Sequence, residues 1–101
     1  MKKYIMSIGL NDKDTKKQEI STPVAWDTII ETLQANNIDG ATVYEARGIY
    51  KLESENTLRA EIIDFDGNAY KNTINAIDSI KTALNQECIA LEIVDTNSIL
   101  I

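Results

Sequence analysis

The chain has no histidine, one cysteine, one proline and only two arginines, Arg47 and Arg59. Without histidine, no side chain has an ordinary pKa near neutrality, so the usual general base and the usual activator of a serine or cysteine nucleophile are both missing. The lone Cys88 excludes an intrachain disulfide. Its apolar neighbours Ile89, Ala90 and Leu91 predict a small buried hydrophobe rather than a reactive thiol. Ser7, Ser21 and Ser98 sit in no nucleophile motif, and Gly9 stands alone rather than in a phosphate-cradling loop. No apolar run approaches membrane-spanning length, and Met1-Lys2-Lys3-Tyr4-Ile5 lacks the apolar core of an export signal. These absences predict a cytoplasmic protein with no membrane partner and no catalytic residues.

Basic residues are outnumbered, ten against sixteen acidic ones, for a net charge of −6. Such a field repels nucleic-acid phosphates, and the lysines Lys2, Lys3, Lys13, Lys16 and Lys17 do not form an obvious patch. No direct nucleic-acid binding is expected. Heavy use of isoleucine, asparagine and lysine is the bias of AT-rich genomes, including those of low-GC bacteria and their phages. At 101 residues, 44% apolar and 26% charged, the chain is expected to form a single domain over residues 1–101.

The patterned segments come in the order strand, helix, strand, strand, helix, strand. Tyr4 to Leu10 alternates, with Tyr4, Met6, Ile8 and Leu10 on one face. Thr22 and Pro23 open a helix whose stripe is Trp26, Ile29, Ile30 and Leu33, closed by Asn36, Asn37 and Gly40. Ala41 to Lys51 and Leu58 to Phe65 read as strands. No strong turn dipeptide lies between Lys51 and Thr57, which predicts a hairpin loop longer than two residues. A second helix follows from about Asn72 with Ile74, Ile77, Ile80 and Leu84 inward, and Ile89 to Val94 is the last strand. The order predicts an α+β, ferredoxin-like βαββαβ sandwich, a four-stranded antiparallel sheet with two helices on one face.

In that architecture the loop Asn11–Ser21, the hairpin Lys51–Thr57 and the turn Asn85–Glu87 share one end. Loops on a rigid scaffold carry function, so Asn11, Asp12, Asp14, Glu19, Glu53, Gln86 and Glu87 are the candidate ligand-binding residues. Asp12-Lys13-Asp14 begins like a calcium loop, but Lys16 stands where the next ligand belongs and the glycine and closing glutamate are missing. No metal and no cofactor are therefore expected. Gln86 or Glu87 is placed to bond back to Asn11–Asp14 as a structural latch.

The sheet face away from the helices is expected to show Ile5, Val43, Arg47, Ile49, Arg59, Ile63 and Phe65. A mixed apolar face of this kind marks an interface, and a homo-oligomer, with a dimer favoured, or the apolar tail Asn97–Ile101, is expected to cover it. Like charges avoid facing each other across strands, which predicts Arg47 opposite Glu61 rather than opposite Arg59.

The string Gly9-Leu10-Asn11-Asp12-Lys13-Asp14-Thr15, with Gln18-Glu19, Asp39-Gly40-Ala41-Thr42, Glu45-Ala46-Arg47-Gly48-Ile49-Tyr50 and Asn85-Gln86-Glu87, resembles a group of small uncharacterised bacterial and prophage proteins. The resemblance implies a ferredoxin-like fold related in shape to the PII and ACT regulatory domains, which bind small ligands and assemble through their sheets. The chain lacks the long hairpin loop and the phosphate-gripping basic residues of nucleotide-binding PII proteins. The expected function is a small non-catalytic protein that binds a small-molecule ligand or ion at its loop edge. The alternative is a phage- or prophage-encoded inhibitor of a host (defence) protein, with its acidic surface mimicking nucleic acid.

Overall fold

A computed structural model describes residues 1–101. The elements are β1 (Lys2–Gly9), α1 (Thr22–Ala35), β2 (Thr42–Tyr50), β3 (Glu53–Asp64), α2 (Ala69–Ala83) and β4 (Ala90–Asp95). They form one antiparallel sheet in the order β2-β3-β1-β4, and the expected ferredoxin-like α+β fold is what the chain adopts. Tyr4, Met6, Ile8 and Leu10 of the β1 segment and Leu58, Ala60 and Ile62 of β3 pack against Ala25, Ile29 and Leu33 of α1 and Ala76, Ile77 and Ile80 of α2. The α1 stripe is rotated slightly from the expected one: Ala25 is fully buried, Trp26 is half-buried, and Ile30 faces out.

Both helices stop in the same way. Asn37 and Asn85 take positive φ (58° and 49°) directly after each helix, a conformation that asparagine tolerates better than most residues. The following amides turn back into the helix: Ile38 N–H donates to the Leu33 carbonyl at 3.0 Å and Gln86 N–H to the Lys81 carbonyl at 2.9 Å. This double turn satisfies carbonyls that the helix end would leave unpaired. It also points Ile38 and Gln86 inward, where both are buried. At its other end α2 is capped from a distance. The buried Asp64 carboxylate accepts the Asn68 and Ala69 amides and the Tyr4 hydroxyl, so the end of β3 holds the start of α2. Burial, followed by the bond to Asp64, pushes the Tyr4 phenol up.

The β2–β3 connection departs from expectation. It is a two-residue turn, Lys51-Leu52, with both residues at positive φ (51° and 69°), the backbone of a type I′ hairpin without its customary Asn-Gly. The tight turn starts β3 at Glu53 and pairs Arg47 with Asn56, Tyr44 with Arg59 and Thr42 with Glu61. Arg47 therefore faces neither Glu61, as expected, nor Arg59. The register differs from the expected one by an odd number of residues. Because side chains alternate faces, every β2 residue changes sides. Val43 packs against the helix-side core, and Glu45, Arg47 and Ile49 share its side rather than the open face.

Ile5, Arg59 and Ile63 do lie on the open face, while Phe65 sits just beyond β3, 42% exposed. Strand β4 is an exposed edge, with Ile93 and Val94 uncovered, rather than a strand buried on both faces. The tail residues Ile99, Leu100 and Ile101 are exposed as well, and Leu100 borders a hollow together with Thr42, Glu61, Ile63 and Phe65.

Leu52 is almost wholly exposed, so its side chain contributes no packing to offset a left-handed backbone that disfavours side-chain-bearing residues by about 1–2 kcal/mol. Replacing Leu52 with Gly is expected to raise Tm by roughly 4–8 °C in a thermal melt. An unchanged or lower Tm would show that the turn is not left-handed at this position.

Candidate functional site

The loop after β1 is built from its own polar side chains. One Asp12 carboxylate oxygen accepts the amides of Asp14 and Thr15, at 2.9 and 3.1 Å, a local turn typical of aspartate. An isolated bridge joins Asn11 to Gln18 and closes the loop on itself. The end of α2 then clamps it. Asn85 Nδ2 donates to Asp12 Oδ1 (2.8 Å) and Asp14 Oδ2 (2.9 Å), Gln86 Nε2 donates to the Asn11 carbonyl (3.0 Å), and Lys13 N–H donates to the Asn85 carbonyl (3.0 Å). The side chains that lock this loop are supplied by the helix-ending turn described above.

The hairpin arches over the same end. Its ladder with β1 stops at Gly9–Thr57, so residues 53–56 run on beyond it, paired with β2. Strands β2 and β4 are opposite edges of the sheet, about 14 Å apart at ordinary strand spacing. Yet the Tyr50 hydroxyl donates to Glu87 at 3.1 Å, Lys51 Nζ reaches both Glu87 carboxylate oxygens at 3.0–3.1 Å, and Cys88 Sγ lies 3.5 Å from the Tyr50 hydroxyl. The hairpin tip must therefore curl across the open face and fasten to the turn before β4. Two glycines allow this. A Cβ on Gly9 would overlap the Glu55 carboxylate, and one on Gly48 would come within 2.8 Å of Thr57 Oγ1.

Beneath the arch lies a hollow of about 670 Å³, a volume typical of small-molecule sites. Ser7, Gly9, Thr57, Arg59 and Ala90 form its floor; Tyr50, Glu53, Glu55 and Arg47 belong to the hairpin side; Gln86, Glu87 and Cys88 close it beside β4. Glu55 is partly buried, and its Oε2 accepts the Asn11 amide at 3.0 Å. On the floor, Arg59 donates to Tyr44, Ser7 and Glu92. Tyr44 in turn donates to Glu61 at 2.6 Å. Bonds from Tyr44 and then Lys3 hold the Glu61 carboxyl below the usual range.

The hollow corrects the expectation of an acidic loop edge without clustered bases. Six of the ten lysines and arginines line it (Lys13, Lys16, Lys17, Arg47, Lys51 and Arg59), against four of the sixteen acids. It is a net-positive island on a negative chain. Of the expected ligand residues, Asn11, Asp12, Glu53, Gln86 and Glu87 line it; Asp14 is taken up by Asn85, and Glu19 is exposed and outside it. Gln86 also carries out the expected latching, to Asn11. Glu55 lay on the expected edge, in the hairpin Lys51–Thr57, without being singled out as a ligand residue; Tyr50 and Arg59 were not expected here, and Cys88 is exposed at the rim rather than buried. The isolated Gly9 was the available signal for Glu55, since a glycine mid-strand marks a close approach.

No protein-family model and no curated protein matches the sequence. Among solved structures, a phage SAM lyase in its apo state matches with a TM-score of 0.64 and 20% identity, covering 92% of this chain and 78% of that one. A phage SAM lyase in complex with S-methyl-5′-thioadenosine matches with a TM-score of 0.66 and 23% identity, covering 93% and 80%. The resemblance to phage proteins stands, whereas the specific kinship in shape to PII and ACT domains gains no support. These neighbours are enzymes, which overturns the expectation of a non-catalytic binding protein.

Truncating Gln86 to Ala removes a buried amide that bonds the Asn11 and Leu84 carbonyls. The expected loss is about 1–2 kcal/mol, a fall in Tm of roughly 5–15 °C; a melt indistinguishable from wild type would show that the latch holds nothing.

The clasp makes a separate prediction in acid. Bonds from Lys51 and Tyr50 hold the Glu87 carboxyl below its ordinary range, and bonds from Asn85, Thr15 and Asp14 do the same for Asp12. Such groups stabilise the fold fully above the unfolded carboxyl pKa of about 4, and the stabilisation is lost as pH falls through the lower folded value. Melts between about pH 5 and pH 3 should show Tm declining, with a shallower decline in Glu87→Gln. An equal decline in both would show that the Glu87 clasp contributes nothing to stability in acid.

Proposed function

We propose that the hollow binds an S-adenosyl sulfonium compound and that the chain cleaves it, releasing S-methyl-5′-thioadenosine. The observation that carries this reading is a roofed hollow of nucleoside size with the Glu55 carboxylate seated in it. The fold around it matches that of a phage SAM lyase in complex with S-methyl-5′-thioadenosine over 93% of this chain.

The chemistry suits a site without histidine. A sulfonium sulfur is already a good leaving group and needs no protonation to depart. The bond from sulfur to the four-carbon amino-acid portion breaks with both electrons going to sulfur, which leaves as a neutral thioether. A lyase adds no water. The four-carbon fragment compensates internally, by closing its own carboxylate onto the vacated carbon or by giving up a neighbouring proton. Glu55 has one oxygen committed to the Asn11 amide and the other open. It can hold the positive end of the ligand or receive that proton. The Tyr50 ring at the arch adds an aromatic face, a surface that attracts cations.

Incubating the protein with S-adenosylmethionine and following the mixture by liquid chromatography and mass spectrometry tests the reading. S-Methyl-5′-thioadenosine should appear in step with substrate loss. Glu55→Gln, which keeps the acceptor for the Asn11 amide, should slow its appearance by roughly 10²–10⁴-fold. Gly9→Ala, which displaces the same carboxylate, should act in the same direction. A folded wild-type protein that forms no thioadenosine and does not bind it would refute the proposal.

A further inference from the structure

Three lysines of one loop beside the hollow form no ion pair. Lys51 is paired with Glu87 and Arg59 with Glu92, but Lys13, Lys16 and Lys17, which also line the hollow, have no carboxylate partner, and the Lys16 ammonium donates to the Lys13 carbonyl. All three ride on a heavily tied loop. Asp12 folds the loop from inside, the Asn11–Gln18 bridge closes it, Asn85 and Gln86 clamp it from α2, and Gln18 Oε1 accepts Asn56 Nδ2 across to β3 at 2.8 Å. Lys16, whose backbone adopts a positive φ of 64°, lies close enough to Glu87 for its charge to help depress that carboxyl.

Like charges repel, and a loop that served only to connect β1 to α1 would gain nothing by gathering them beside a concavity. Elsewhere the surface is acidic, so these cations form the region of positive potential, and a concave low-dielectric wall focuses it. The carboxylate Glu55 lies in the same hollow. The site is thus two-signed, with a negative group beneath the arch and an arc of free positive charge along the loop.

We infer that Lys13, Lys16 and Lys17 form a subsite for the carboxylate at the amino-acid end of an S-adenosyl ligand, so that the site selects ligands carrying that end over the bare thionucleoside. This rests on the proposed function and adds to it the part of the ligand that decides specificity. S-Adenosylhomocysteine carries the carboxylate but no sulfonium to cleave; S-methyl-5′-thioadenosine carries neither charge; adenosine monophosphate carries a phosphate instead. A two-signed site accepts the zwitterionic amino-acid end, whereas a phosphate would bring negative charge without a positive partner for Glu55.

Isothermal titration of these three compounds separates the possibilities. The wild type is expected to bind S-adenosylhomocysteine more tightly than the other two, with an affinity that falls as salt is raised, while binding of the thioadenosine is insensitive to salt. The variant Lys13→Gln/Lys16→Gln/Lys17→Gln should lose about tenfold or more in affinity for S-adenosylhomocysteine and change less than about twofold for the thioadenosine. Retained thioadenosine binding in that variant shows that the hollow itself is intact. Equal binding of S-adenosylhomocysteine by wild type and variant would overturn the inference while leaving the proposed function standing. Tighter binding of adenosine monophosphate would overturn it in favour of phosphate. If the wild type binds neither adenosyl thioether, the proposed function fails together with the subsite.

Discussion

The left-handed two-residue turn at Lys51–Leu52 is the constraint on which the rest of the site depends. It sets the β2–β3 register, and that register decides which β2 side chains face the helices and which face the open side. It also starts β3 four residues before its ladder with β1 begins, leaving an overhang with nothing beneath it but the end of the sheet. An overhang of that length can either project into water or curl over the face. Here it curls, because Gly9 and Gly48 leave room for Glu55 and Thr57 and because Tyr50 and Lys51 find Glu87 on the far side. Exposed ion pairs contribute little to stability by themselves. The clasp matters for the shape it imposes, since without it the open face has no roof.

A second restraint works from the helix side. Asparagine at the left-handed position after α2 turns the chain so that consecutive residues do different jobs. Asn85 reaches the Asp12 and Asp14 carboxylates, Gln86 reaches the Asn11 carbonyl, and Glu87 receives the hairpin. Three successive side chains thus gather the three loops that share this end. The opposite end of the sheet has a different task, with Asp64 capping α2 and binding Tyr4. One pole therefore anchors the core while the other holds the hollow.

Much of the fold was legible because apolar periodicity is a strong signal. The alternation from Tyr4 to Leu10, the helix opening at Thr22-Pro23 and the stripe through Ile77 and Ile80 all led to the observed elements, and their order led to the observed topology. The convergence of Asn11, Gln86 and Glu87 followed from topology alone. What was hidden turned on a turn without turn residues. Lys-Leu carries none of the chemistry that announces a tight hairpin, so β3 was expected to begin at Leu58, and Val43, Arg47 and Ile49 were assigned to the wrong face. Glu55 was on the expected edge, but its place against Gly9 was not visible, because residues 53–57 read as loop rather than strand. Cys88 looked buried because its neighbours are apolar, but at the start of an edge strand those neighbours do not enclose it. The basic cluster could not be seen by counting along the chain, because Arg47 and Arg59 join the loop lysines only through the β2–β3 register.

The arched hairpin makes the open face into a roofed hollow, and the proposed occupant of that hollow is an adenosyl thioether. Amide chemical shifts recorded while S-methyl-5′-thioadenosine is titrated into the protein test the two together. Perturbations should concentrate at Ser7, Gly9, Tyr50, Glu55, Thr57 and Cys88, on the floor and beneath the arch. Perturbations centred on Asn37–Thr42 and Phe65–Asn72 at the opposite end of the sheet, or none at saturating ligand, would contradict this reading.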